Sequence, residues 1–463
     1  MSKTKRMLVM LLAIVMIVSL AACSNNDTKV NEEATPQATE KAGQQAEETA
    51  SDELVEVKFS IMNTTWDIEG WTAMVDAANA QLKEEGSNVQ IVINKVAAAD
   101  WPEYYQKIVT EMAAGKAPDL ARIANSFMPL VVSKGQAVDI TEYVENELSS
   151  DEYFTETFKG ANYKDGRYYG LPSGVFYMLN YFNKDLYDAA GIDYPSRDWE
   201  NPSTFDTVRE NAKKLTSGEG AEKQFGFAAG PYMAYIGMYA KSAGGQNVFN
   251  EDGSCALGDD QSKLVYSWFD GMLREDYSMP RPTDTKIMGD FDMFKAGRIA
   301  MTVQGTWYQQ SMQNDIADFK VGIAAVPAAE GRAYSSMFVD NFFIVKGTKH
   351  EAEAWTALKA LYSEAAFDAL AQAGVGGLPI NKAALEKNMD ALIGDKFDEE
   401  DKECFIQGLD YVLKVPYNEY YEQADQKINN TMDQWLLGDI TSDQFAEKAA
   451  QLVDEEAAKA ADK

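Results

Sequence analysis

Two hydrophobic periods alternate along residues 55–123, and this alternation constrains the fold more than any other feature of the chain. Val55-Glu56-Val57-Lys58-Phe59-Ser60-Ile61 places apolar and polar side chains in turn, the period-two pattern of a half-buried strand. Trp71, Met74, Val75, Ala78 and Leu82 then share one helical face, and the pattern stops at Gly86. Residues 89–93 form a second strand, residues 101–114 a second helix closed by Gly115, and residues 117–123 a turn and third strand. Strand and helix in alternation predict an α/β fold with a mainly parallel sheet. Ligands of such sheets sit beyond the carboxyl ends of the strands, here residues 63–67 and 125–127.

A second α/β series follows residue 170. Residues 178–182, 225–228, 299–303, 321–326 and 342–345 read as strands, and a helix opens at Ser203 or Thr204 and runs to Leu215. Beyond residue 345 the pattern is helical: 351–362, 365–373, 401–413, 418–437 and 441–458. The acidic stretch 395–403 lacks the spaced oxygen ligands and central glycine of a calcium loop, so it is expected to be a solvated helix start.

The first residues have a different character. Lys3, Lys5 and Arg6 precede an apolar run from Met7 to Leu20, too short to cross about 30 Å of hydrocarbon comfortably. It ends in Leu20-Ala21-Ala22-Cys23, which resembles a bacterial lipobox. The expectation is a signal peptide over 1–22 and a lipid-bearing Cys23, two acyl chains giving stable anchoring where one is marginal. Residues 24–53 contain no aromatic side chain and cannot bury enough surface to offset ordering entropy, so 23–53 reads as a lipidated, acidic, disordered tether. Loss of the three leader cations takes the net charge from −31 to −34. Such a chain repels nucleic acid and anionic surfaces. Cys255 and Cys404 have no metal-ligand spacing and are expected as free thiols.

Catalytic signatures are sparse. The single histidine, His350, makes a Ser-His-Asp triad and a His-rich zinc site improbable. The glycines at 374, 376 and 377 lead into Leu378-Pro379 rather than into a phosphate-binding helix. Glycoside hydrolysis needs only two spaced carboxylates, and 73 acidic residues leave that possibility open. Aromatic residues are the clearer signal. Trp66, Phe127, Phe176, Tyr177, Tyr232, Tyr235, Trp307, Tyr308, Tyr417, Tyr420 and Tyr421 lie at or near expected element ends, where flat faces can stack on sugar rings. Trp66 and Trp307 each follow a strand through a small polar turn.

Seven segments in order carry a resemblance. They are residues 104–120 ending Ala-Gly-Lys-Ala-Pro-Asp-Leu, Asp165–Pro172, Leu179–Tyr187 with Ala190-Gly191-Ile192, Pro202–Phe205 with Ala212–Leu215, Phe294–Met301, Gly305-Thr306-Trp307, and Gly377-Leu378-Pro379-Ile380. Together they resemble family 1 extracellular solute-binding proteins, the sugar-capturing components of ABC importers, similar to maltose-binding proteins. The resemblance spans about residues 54–460.

It implies a two-lobed periplasmic-binding-protein-like fold with a hinge and a ligand cleft between the lobes. Lobe one would comprise 54–171 plus 341–400, and lobe two 172–340 plus 401–463. Ligand contacts would come from Asn63, Trp66, Asp67, Asn125, Phe127, Phe176, Tyr177, Tyr232, Trp307, Asp340, Asn341 and Tyr417. The implied partners are a carbohydrate, of oligosaccharide size, and ABC transporter permease subunits, with no cofactor or metal implied. The implied form is a monomer on the outer face of the cell membrane, an arrangement more typical of Gram-positive cells. Maltose-type members carry a carboxylate soon after the first proline, where this chain has Gly174-Val175-Phe176-Tyr177, so maltose specificity is not implied. A surface-anchored carbohydrate-active hydrolase and a binder of a non-sugar polar solute remain the alternatives.

Overall fold

The expected first strands and helices form in order in the computed structural model, which describes residues 53–63, 68–154, 162–250, 254–374 and 377–461. Expectations for the leader, Cys23, the tether, Trp66 and Asp67 fall outside these residues. β1 (Val55–Met62), β2 (Val89–Val96) and β3 (Leu120–Ala124) are joined by helices Ile68–Glu84 and Trp101–Ala113. β1 is parallel to both other strands. Asp100 caps the second helix by accepting from the Glu103 N–H, and Gly115 closes it at a φ of 69°. β4 (Asn162–Lys164) and β5 (Arg167–Tyr168) make a separate two-stranded ribbon.

The 13-residue β6 (Leu171–Asn183) organises the rest, and it is buried along its whole length. β7 (Phe225–Ala229), β8 (Ile299–Gly305) and β9 (Val321–Ala324) lie toward its carboxyl end; β10 (Ser335–Ile344) and β11 (Val412–Lys414) complete the sheet. The strand order is β2-β1-β3-β10-β6-β8-β7, with β9 on β6 and β11 on β10. The first part of β6 pairs antiparallel with β10, whereas Met178–Phe182 pair with β8. β6 and β10 therefore carry the chain from one half of the sheet to the other.

Two main cores form on either side of this crossing. The smaller gathers Phe59, Trp71, Phe342, Trp355 and Tyr362. The larger gathers Tyr177, Tyr181, Phe227, Trp268, Trp435 and Phe445, and includes helices Tyr421–Leu437 and Ser442–Ala461. β6 contributes Leu171 and Val175 to the smaller core and residues 177–179, 181 and 182 to the larger. Leu385, Leu392, Ile393 and Phe397 also pack into the larger core, so the final return to that body begins before residue 400.

Other differences have local causes. The expected helix 401–413 is Glu399–Gln407, followed by a 3-10 turn and β11, whose Val412 and Leu413 pair with Ser335 and Ser336. The acidic stretch does start a helix, with an Asp398–Asp401 capping box, yet Asp401 is wholly buried rather than solvated. Its carboxylate oxygens lie 2.5 Å from Lys184 Nζ and 2.8 Å from Arg197 Nη2, which compensates for lost hydration. Cys255 and Cys404 are free, buried thiols, both pushed up to about 12 by burial.

Candidate ligand-binding cleft

A cavity of about 360 Å³ opens where β3 ends beside the middle of β6 and β10. The first body lines it with Met62, Trp101, Arg122, Asn125 and Ser126; the crossing strands supply Phe176, Phe338 and Asp340. Tyr232, Tyr235, Trp307, Tyr417, Tyr421, Glu422 and Asp425 close it from the second body. A larger groove of about 750 Å³ is walled mainly by charged and polar side chains of surface helices, among them Glu85, Glu147, Lys359 and Glu364. The smaller cavity is the better candidate because it lies at strand ends and combines aromatic walls with a few polar groups.

Strand parity selects the crossing residues. Phe176 pairs in register with Phe338, and both rings line the cavity. Successive strand side chains point to opposite faces, so Tyr177 turns away. It is fully buried, and its hydroxyl donates to the Phe405 carbonyl. This corrects the expectation that both aromatic neighbours contact ligand. The β6–β10 register shifts between Val339 and Asn341, and Asp340 at that irregularity lines the cavity while Asn341 is wholly buried beside β3. Phe127 is also a core residue, its ring 5.4 Å from Tyr105 in a small satellite cluster. Asn63 is exposed, donates its N–H to the Val96 carbonyl, and is not among the lining residues. Asn125, Phe176, Tyr232, Trp307, Asp340 and Tyr417 do line the cavity.

The aromatic walls are continuous. Trp307 lies 6.3 Å from Phe176 and 5.5 Å from Phe338; Tyr235 is 5.9 Å from Phe338 and 5.4 Å from Tyr232. Two of these rings fold back over a glycine two residues earlier. A Cβ on Gly305 would lie 2.3 Å from the Trp307 ring, and one on Gly230 would lie 2.4 Å from the Tyr232 ring. Only a residue without a Cβ permits either approach.

Charge enters from three places. Arg122, unusual inside a buried strand, sits between Trp71 and Trp101, with centroid distances of 4.3 and 5.3 Å, and pairs with Asp340. Glu422 and Asp425 are one helical turn apart on Tyr421–Leu437. Burial raises Glu422 to about 7 and Asp425 to about 6, against hydrogen bonds to Ser126 and Asn429 respectively. Ser126, past the end of β3, lines the same cavity as Glu422. Residue reasoning missed Trp101, Arg122, Phe338, Glu422 and Asp425. The arginine in Leu120-Ala121-Arg122-Ile123 was the one visible signal, since an unpaired charge there has no place in a buried strand.

Two α/β bodies joined through shared strands, with an aromatic cleft at the junction, define a protein built to bind a solute between its halves. Residues 66–366 match the family of bacterial extracellular solute-binding proteins, and the chain belongs to that family. A binding protein of Brucella abortus is 26% identical over 372 residues, covering 80% of this chain and 87% of that relative. An ABC substrate-binding protein from Listeria monocytogenes, solved in complex with cycloalternan, superposes with a TM-score of 0.77 at 20% identity, over 87% of this chain and 99% of that one. A solute-binding protein from Thermotoga lettingae bound with α-D-tagatose gives 0.71 at 20% identity, with the same coverage. These similarities establish the two-lobed binding-protein fold.

Proposed function

We propose that this protein is the solute-binding lipoprotein of an ABC importer, capturing a carbohydrate of oligosaccharide size between its lobes and handing it to the permease. The observation that carries this reading is the unbroken series Phe176, Trp307, Phe338, Tyr235 and Tyr232, with Asn125, Asp340, Glu422 and Asp425 on the same cavity. Flat apolar faces stack on pyranose rings, and amide and carboxylate oxygens accept from the ring hydroxyls. The cycloalternan and tagatose held by the two structural relatives agree with a sugar. Trp66 and Asp67, which follow β1 in the sequence, are proposed as further ligand contacts. Binding favours the closed arrangement because the ligand touches both bodies there, and the permease reads that closed form. No covalent step is involved.

The leader and Leu20-Ala21-Ala22-Cys23 support anchoring through Cys23 on the outer face of the membrane, with one copy per anchor. A thermal-shift screen against mono- and oligosaccharides tests the ligand class, since a ligand of the folded state alone raises the melting temperature. A shift with a saccharide supports the proposal. No shift with any saccharide, alongside one with a peptide or polyamine, overturns it; release of cleaved sugar overturns the non-catalytic reading.

A further inference from the structure

The charges lining the cleft do not balance. Arg122 and Asp340 neutralise each other. Glu422 and Asp425 remain, and among the described residues neither forms an ion pair with a lysine or arginine. Resting on the sugar-binding reading above, we infer that the natural ligand is a cationic amino saccharide, whose exocyclic ammonium seats between Glu422 and Asp425 while its ring planes stack on the aromatic walls.

Three observations carry this. First, the two carboxylates are three positions apart on one helix, so they face the cavity together and can share one ammonium. Second, both are costly to ionise where they stand. Glu422 occupies the first helical turn, which favours a carboxylate, yet burial outweighs that and Asp425 adds like-charge repulsion. A sugar hydroxyl supplies one hydrogen bond to such a group and leaves its charge in place; an ammonium supplies hydrogen bonds and cancels charge. Third, Tyr417 and Tyr421, with ring centroids 4.6 Å apart, line the same cavity as the pair, as do Tyr232 and Tyr235. Tyrosine faces attract a desolvated cation. The net charge of −31 adds a field that draws cations toward the protein.

The test is calorimetric titration of the intact folded protein at pH 7 with three matched sets. These are glucosamine, N-acetylglucosamine and glucose, each as monomer, β-1,4 dimer and β-1,4 trimer. The expected result is a preference of about tenfold or more for the amino member at the best-bound length. In E422Q/D425N that preference should vanish while the melting temperature stays at or above that of the parent. Equal or tighter binding of the neutral or acetylated member overturns the inference and leaves sugar binding intact. Persistence of the preference in a folded E422Q/D425N protein also overturns it. Failure of every saccharide in all three sets, with a well-folded parent, also overturns this inference, while the proposed function is decided by the broader saccharide screen.

Discussion

Arg122 Nη2 and Nε lie 2.5 and 3.1 Å from the same Asp340 carboxylate oxygen, joining β3 to the irregular point of β10. The Arg122 side chain is 2% exposed and that of Asp340 14%, so the guanidinium has little water to fall back on while the carboxylate faces the cleft. Asp340→Asn should therefore destabilise the protein by about 3–5 kcal/mol, because the buried guanidinium loses its charged partner. Arg122→Met with Asp340→Asn should recover much of that loss. Urea unfolding of the parent, single and double variants measures both; a single variant as stable as the parent would show the pair to be inessential.

Gly305→Ala should weaken ligand binding without touching the ligand directly. The added Cβ, 2.3 Å from the Trp307 ring, forces that ring off the strand end and out of its contact with Phe338. The loss should approach that of Trp307→Ala, about 2 kcal/mol or more for an anchoring aromatic. Gly230→Ala should cost less, since Tyr232 is already half exposed and has room to turn. Titration of all three variants with the same sugar decides the order.

Neighbouring aromatics on β6 should part company on substitution. Phe176→Ala should reduce affinity, whereas Tyr177→Phe should lower stability by about 1–3 kcal/mol through the Phe405 carbonyl left without its donor. Its ligand affinity should match the parent's. Paired denaturation and binding curves check this, and weakened binding in Tyr177→Phe would contradict the strand parity.

Glu422 makes stability depend on pH in an identifiable direction. Its carboxyl rises from 4.5 to about 7 on folding, and Asp425 from 3.8 to about 6. Across that window the folded protein holds more protons than the unfolded chain, so stability falls as pH rises. Below about pH 4 both states are protonated and the penalty is absent. Arg122 and Asp340 also face the cavity but compensate each other. In ligand-free protein, E422Q should therefore melt higher than the parent at pH 8, and the gap should close toward pH 4. A gap independent of pH would remove Glu422 as its source.

Cys23→Ala tests the proposed anchor. The variant should appear in the medium or remain unprocessed, rather than partition with membranes, and should bind the same sugar. Membrane fractionation with mass analysis of the mature N-terminus gives the answer.

The parallel β1-β2-β3 unit was readable because period-two and helical patterns alternate cleanly there. β6 was seen only as residues 178–182, since a strand buried on both faces has no polar alternation to mark its length. The same burial hid which of Phe176 and Tyr177 faces the cleft. Trp307 stood out because a small polar turn follows its strand. Glu422 and Asp425 did not, because 73 acidic residues look alike until folding sets these two beside the tyrosines of the cleft. The Arg122–Asp340 pair required knowing that residues 218 positions apart become diagonal neighbours on adjacent strands.

The long shared strand has one more consequence. Because β6 supplies side chains to both cores, neither half owns a complete sheet when the other melts. Domains strung on a flexible linker can unfold in separate steps; these two halves should instead lose structure in one cooperative transition. Cutting the gene within β6 would yield two fragments, each lacking part of its own interior, and neither should fold without the other present.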